Sequence, residues 1–430
     1  MMLLGEPFEV KIEGGYEIDL PKMIKIKQIF PRERVADIKQ TVAQEMSAKL
    51  IPGEYKGKKI AVAVGSRGIA NLAEIVKCVI AELKAWGAEP FIVPAMGSHG
   101  GATAEGQREV LDEYAVNEQT MGVPVISSME VVQIANLENG MPVYFDQAAY
   151  QADGVVVVNR IKPHTDFKGD YESGLIKMMT IGLGKHKGAT TIHTYGFDRF
   201  HELIPETGKA VLQNAPIAFG VGIVENAYDE TMSVTVMPKD QIFENEKQLL
   251  MVAKKSMPRL LVSGIDVLIV DQIGKDISGA GMDPNITGRT ASGLPGFDLA
   301  PPIQKVVVLD LTDKTHGNAN GIGLADVTTR NLLNKIDFLK LYANSITSTE
   351  LDPAKIPVVM NSDKEAIVVA LKTCNRITAD KAKIVRIKNT LDLSEIQVSE
   401  SYRQELVQRS DVEIVSEAEN FSFTKEGRLL

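Results

Sequence analysis
Three of the six histidines in this chain fall within residues 163–193, PHTDFKGDYESGLIKMMTIGLGKHKGATTIH. A histidine titrates close to neutral pH, so His164, His186 and His193 can each move a proton or ligate a metal. Pro163 stiffens the approach to His164. Gly174-Leu175-Ile176-Lys177 sets a lysine at the entrance of the apolar run MMTIG. An ammonium entering apolar surroundings loses proton affinity, and the resulting amine is a nucleophile. The ordinary alternative is a lysine whose stem lies on apolar surface and whose head stays in water. Gly182-Leu183-Gly184-Lys185 offers backbone N–H groups to a phosphate, although it lacks the P-loop pattern.

Two further turns carry chemistry. Ser66-Arg67-Gly68 lies between a strand pattern and a helix pattern, where an arginine can clamp a carboxylate or phosphate with two parallel hydrogen bonds. His99 sits in the glycine-rich turn Gly97-Ser98-His99-Gly100-Gly101, where a side chain gains no packing, and this favours proton transfer over a core role. The histidines show no His-x-His or His-Glu-x-x-His spacing for zinc. There is no Gly-x-Ser-x-Gly elbow, and GSRGIAN lacks the glycine triplet of a dinucleotide fold.

Elements that would position these groups read as α/β. Ile60–Val64 is a strand, apolar residues from Leu72 to Leu83 recur at helical spacing, Gly87 closes the helix, and Pro90–Pro94 is the next strand. That β-α-β unit implies a parallel sheet with a right-handed crossover. A helix over 103–114 and strands Gly154–Asn159 and Ile217–Val224 follow. A helical connector spans 239–261, with Pro258 near its end. The strands DVLIVDQIG and KVVVLDL then open a second series, separated by the glycine-rich loop 271–293. The expected architecture is two α/β domains with mainly parallel sheets and an active-site cleft between them, since ligands gather at the carboxyl ends of such strands. The expected boundaries are 1–258, with 400–430 added to that domain, and 262–395.

Composition narrows the function class. The chain has 430 residues, 44% hydrophobic and 24% charged, ordinary values for a folded protein of more than one domain. A net charge of −9 with no basic block argues against nucleic acid and anionic membrane surfaces. Two distant cysteines, Cys78 and Cys374, suggest a reducing compartment. The short apolar start MMLL is too brief for a signal peptide or a span, so the expected location is cytoplasmic.

In combination the site residues resemble the lactate racemase family of nickel-pincer-nucleotide-dependent racemases and epimerases. The resemblance rests on Ser66-Arg67, on Gly97-Ser98-His99, on Pro163-His164, on Gly174-x-x-Lys177 with His193 following, and on Gln272 with Lys275 in the second series. It implies a pyridinium-3-thioamide-5-thiocarboxylic acid mononucleotide carrying nickel. Lys177 would be joined to one arm as a thioamide, and His193 would complete the nickel coordination. Ser66 and Lys185 would hold the rest of the cofactor. His99 and His164 would be paired acid/base residues, and Arg67, Gln272 and Lys275 would grip a substrate carboxylate and nearby oxygens. The implied partners are a small hydroxy acid and the proteins that make the cofactor, and a homo-oligomer is compatible. Val64 stands where many relatives carry an aspartate. The His164–Lys177 interval is longer than in lactate-specific members, and Trp86, the single tryptophan, lies in a helix. These departures point to a hydroxy acid other than lactate. Two other readings use the same residues: a zinc-dependent hydrolase or lyase, and a non-catalytic nucleotide or sugar-acid binder.

Overall fold
A computed structural model describes residues 8–65 and 68–430. It divides into two compact units, one of Pro31–Met257 and one that joins residues 8–30 to Pro258–Leu430. The chain's first strand, β1 (Met23–Gln28), belongs to the second of these.

In the unit Pro31–Met257 the strands are β2 (Lys59–Val64), β3 (Glu89–Pro94), β4 (Val131–Asn136), β5 (Pro142–Asp146), β6 (Gly154–Arg160), β7 (Ile217–Glu225) and β8 (Thr231–Pro238). The main sheet runs β3-β2-β6-β7-β8; β4 and β5 form a separate antiparallel pair. β3, β2, β6 and β7 are parallel and β8 is antiparallel to β7. Ile60–Val64 and Gly154–Val158 are buried throughout, as a parallel strand covered on both faces must be. One face meets α1 (Ile38–Lys49) and α2 (Leu72–Ala85): Val62, Val64, Val156, Val158, Phe219 and Val221 pack with Val42, Met46, Ile75 and Val79. On the other face Gly220 and Gly222 let neighbouring side chains come close. A side chain at Gly220 would stand 2.5 Å from Leu175 Cδ1, so only glycine lets that neighbour approach. The longer helices that follow are α3 (Ala104–Glu113), α4 (Lys185–His193), α5 (Phe200–Asn214) and α6 (Ile242–Ser256).

The other unit is an eight-stranded sheet. Its strands are β1 and then β9 (Ile265–Ile273), β10 (Ile303–Leu311), β11 (Val327–Thr329), β12 (Val358–Met360), β13 (Ile384–Ile387), β14 (Glu395–Ser399) and β15 (Val412–Ile414), in the order β12-β11-β10-β9-β13-β14-β1-β15. β9 to β13 pair in parallel, while β14, β1 and β15 pair antiparallel. This corrects the expected boundaries at both ends. Residues 8–30 and 400–430 lie with the second series, because β1 is hydrogen-bonded between β14 and β15. The division near Pro258 has a local cause: α6 stops at Ser256, and Met257 is extended, as the residue before a proline is forced to be. Among the described residues no helix is long and apolar enough to cross a membrane.

Candidate functional site
β6 ends by handing the chain to a closed loop. Lys162 and Ser173 bond to each other through both backbone groups, at 2.8 and 3.1 Å, which ties the loop's two feet together. A single buried carboxylate organises its interior. Glu172 accepts the His164 N–H at 2.7 Å and the Gly169 N–H at 3.3 Å. It also meets Lys254 of α6 at 2.6 Å and Lys168 at 3.4 Å, so its charge is matched by two cations. Lys168 in turn donates to the His164 carbonyl at 3.0 Å. The His164 ring lies against Phe167, with centroids 4.4 Å apart. Its Nδ1 accepts the Asp166 backbone N–H at 3.0 Å, and its Nε2 contacts Lys177 Nζ.

Lys177 rides on a short helical turn, Leu175–Lys177, that runs into a π-helical turn, Met178–Gly182. Single π turns of this kind recur at functional sites because they rotate a side chain out of the α register. The start of the segment is held from two sides. Asn159 of β6 donates to the Gly174 carbonyl at 3.1 Å, and Glu246 of α6 accepts the Ile176 N–H at 2.9 Å. Glu246 is wholly buried, and burial pushes its carboxyl up to about 7, the two backbone N–H groups it caps working in the opposite direction. Gly174 is required beside it, since a Cβ there would fall 2.3 Å from Glu246 Oε1. Gly174→Ala is therefore expected to displace the Glu246 carboxylate from Ile176 and loosen the lysine segment. A lower unfolding midpoint and faster amide exchange at residue 176 would show it.

The sign of the Glu246 contribution follows from its raised proton affinity. Below about pH 4.5 the folded and unfolded chains both hold the proton and ionisation costs nothing. Between about 4.5 and about 7 the unfolded chain ionises first, so stability falls as pH rises, by up to about 3 kcal/mol. Glu246→Gln keeps an acceptor for Ile176 and removes the proton equilibrium. The stability difference between wild type and this variant, from urea titrations at a series of pH values, is expected to change across that window and to level off above it.

His193 is the last residue of α4, not part of a loop as its surroundings in the sequence suggest. Its Nδ1–H donates to the Ala189 carbonyl at 2.7 Å, one helical turn back, which leaves the Nε2 lone pair outward. Burial pushes its proton affinity below the ordinary imidazole value; the Ala189 bond works against this, Lys177 adds to it and Asp166 offsets part. Phe197 stands 5.6 Å from the His193 ring and 6.3 Å from the His164 ring, so the two imidazoles share one aromatic wall. Phe200 completes it at 5.2 Å from His193. His164, Lys177 and His193 are thus brought together. His99 is exposed in the turn after β3, one strand beyond β2 from β6. Gln107 of α3 shapes that turn by donating to the Gly97 carbonyl at 2.8 Å and the His99 carbonyl at 3.3 Å.

Other candidates stand differently. Ser66 and Arg67 lie outside the described residues. Lys185, expected beside a cofactor, has a fully buried side chain whose Nζ donates to the Pro94 carbonyl and to Gln107 Oε1 and lies 3.1 Å from Asp146 Oδ2. Its amine is engaged inside the protein. Burial lowers its proton affinity and Asp146 raises it. Gly182 and Gly184, read as a phosphate cradle, are instead places of close packing: a Cβ would come within 2.6 Å of the Ala95 carbonyl oxygen and of the Thr180 carbonyl oxygen. His186 is exposed. In the other unit, Gln272 pairs with Asp310 near the end of β9, its N–H donating to the Lys388 carbonyl at 2.9 Å. Lys275 Nζ donates to the Gly279 carbonyl at 2.6 Å.

Sequence reasoning missed Glu172, Asn159, Lys254 and Glu246. A signal existed for the last: Ile242, Glu246, Leu250 and Ala253 share one buried stripe of α6, and a glutamate on such a stripe needs a partner. Among the described residues no three His, Cys, Asp or Glu side chains gather as a metal cage. A zinc hydrolase site needs at least three protein ligands, so that reading finds no support.

Residues 16–201 match the family model of the lactate racemase N-terminal domain. The fold is similar to the lactate racemase apoprotein from Thermoanaerobacterium thermosaccharolyticum, with 13% identity, a TM-score of 0.52, and coverage of 86% of this chain and 99% of that one. It is similar also to the crystal structure of a Thermotoga maritima protein, with 12% identity, a TM-score of 0.50, and coverage of 83% and 96%. At such identities these two likenesses speak for the fold. No curated protein matches in sequence.

Proposed function
We propose, from the match of residues 16–201 to the lactate racemase N-terminal domain, that the chain is an isomerase that inverts the hydroxyl-bearing carbon of a 2-hydroxy acid. The observation that carries this reading is the grouping of His164, Lys177 and His193 on one aromatic wall at the end of a parallel sheet. In this reading Lys177 would anchor a nickel pincer nucleotide covalently and His193 would offer Nε2 to its metal. Bound there, the cofactor supplies reversible hydride acceptance.

The chain's own residues do the rest. A hydrogen on a carbinol carbon is poorly acidic, so the proton that a side chain must move is the hydroxyl proton. His164 takes it from one enantiomer while His99 returns it for the other, and the roles exchange in the reverse direction. His164 is suited to this because Glu172 holds its backbone and Phe167 holds its ring. Arg67, Gln272 and Lys275 are proposed for the substrate's carboxylate and neighbouring oxygen, and Ser66 for the cofactor; variants at these positions should raise KM or lower loading, respectively. The proteins that build the cofactor are proposed partners.

Chiral chromatography across a panel of 2-hydroxy acids and sugar acids, with cofactor-loaded protein, tests the activity. Metal analysis and intact-mass spectrometry test the cofactor. The expected outcome is nickel with a mass adduct on Lys177, and zinc bound to a chain with unmodified Lys177 would overturn it.

A further inference from the structure
α6 runs beside the loop that carries His164 and holds it from three positions. Glu246 accepts the Ile176 N–H at 2.9 Å, and Lys247 reaches Asp170 at 2.6 Å. Lys254, about two turns further on, reaches Glu172 at 2.6 Å. These contacts are unequal. Lys247 and Asp170 are both exposed, and an ion pair in water contributes little. Lys254 instead meets a carboxylate with no exposed side-chain surface, the one that accepts the His164 N–H at 2.7 Å and the Gly169 N–H at 3.3 Å.

The backbone offers few ways to fix His164. The Lys162 N–H is taken by the Ser173 carbonyl, and Pro163 has no N–H. The His164 N–H is therefore the first donor beyond the foot of the loop, and its acceptor is Glu172. A carboxylate in the protein interior keeps its place when cations and donors hold it. Lys168, at 3.4 Å, belongs to the loop itself. Lys254 comes from outside it, on a helix of 15 residues whose Ile242 and Leu249 lie against Gly220 and Gly222 of β7.

We propose that Lys254 is a positioning residue: through the Glu172 carboxylate it fixes the backbone of His164, and with it the place from which that imidazole works. The proposal rests on the racemase reading only for what His164 does there. Misplacing a reacting group by about 1 Å costs about 10²-fold in rate. The groups proposed to grip the substrate carboxylate, Arg67, Gln272 and Lys275, stand on other loops. The loss is therefore expected in kcat and not in KM.

A double-mutant cycle tests this. Lys254→Met removes the cation, and Glu172→Gln keeps an acceptor for the His164 N–H while removing the charge that the cation holds. Cofactor-loaded protein is assayed per loaded site on the hydroxy acid that the wild type inverts. Lys254→Met is expected to lower kcat by about 10–100-fold, with KM within about twofold of wild type. Added to Glu172→Gln, it should cost less than about threefold more, because the group it acts through is already neutral. Lys254→Arg should restore most of the rate, and Lys247→Met should match wild type. Lys254→Gln takes the place of Lys254→Met if the latter does not fold.

The same variants are followed without cofactor or turnover by hydrogen exchange in peptides spanning residues 162–176. The His164 amide should exchange at least about tenfold faster in Lys254→Met than in wild type or Lys247→Met. Wild-type kcat in Lys254→Met, a loss that Lys247→Met shares, or an undiminished loss in the Glu172→Gln background overturns the proposal. Unchanged exchange at His164 overturns it as well. If the loaded wild type inverts no hydroxy acid, the racemase reading falls, and exchange alone decides whether Lys254 holds His164.

Discussion
Replacing His164 with alanine is expected to lower the rate of enantiomer interconversion by about 10²–10⁴-fold, the range that one positioned acid/base group contributes. The imidazole is buried against Phe167, its backbone is held by Glu172, and its tautomer is set by the Asp166 N–H, so a water entering the gap reproduces neither its proton affinity nor its placement. His99→Ala should lose a comparable factor. For a racemase the two enantiomers are equal in free energy, so kcat/KM must fall by the same factor in both directions in either variant. Which histidine serves which enantiomer shows instead in solvent-isotope and pH effects measured from each side. Because His164 also touches Lys177, the variant must be assayed per loaded active site, with loading read from intact mass. A His164 variant that is fully loaded and still within threefold of wild type would remove His164 from the chemistry.

Lys185→Met is expected to destabilise the unit Pro31–Met257 by about 3–5 kcal/mol, the cost of leaving one member of a buried ion pair alone. Lys185 and Asp146 have no exposed side-chain surface and lie 3.1 Å apart. Lys185 also joins three separate elements: the Pro94 carbonyl at the end of β3, Gln107 of α3 and Asp146 at the end of β5. Its backbone adopts φ +53, an uncommon conformation for a residue with a side chain, which those contacts hold in place. Methionine keeps the volume and strands the carboxylate. The double variant Lys185→Met/Asp146→Leu should recover a good part of the loss. It should not recover all of it, since Asp146 Oδ1 also caps the Ala149 N–H at 2.8 Å, a contact of about 1 kcal/mol. Urea unfolding of the two singles and the double gives the coupling directly. Additive effects would show that the pair does not act as one.

Lys185 illustrates why the candidate site was only partly legible. A lysine after Gly-Leu-Gly reads as a phosphate contact, because sequence shows the glycines but not what lies behind them. In the folded chain Gly182 lies close against the Ala95 carbonyl and Gly184 against the Thr180 carbonyl, and the lysine turns inward. The reverse error attends Glu246 and Glu172. Each sits far along the chain from a group it holds, Ile176 in one case and Lys254 in the other, and neither spacing matches a local motif.

By itself the sequence determined the parallel strands and made a handful of residues conspicuous. Continuous apolar runs such as Ile60–Val64 and Val155–Val158 are stable only when covered on both sides, and that demand is local and readable. His99, His164, Lys177 and His193 were conspicuous because their types are scarce or their settings unusual. Tertiary structure alone decided which of them meet, which tautomer His164 adopts, and where β1 goes. Met23 pairs with Ser399 across nearly the whole chain, and a backbone ladder of that span leaves no mark in either segment. Strand pairing and buried carboxylate contacts arise from backbone and side-chain groups that any sequence of similar pattern would present, so only the closed fold selects their partners.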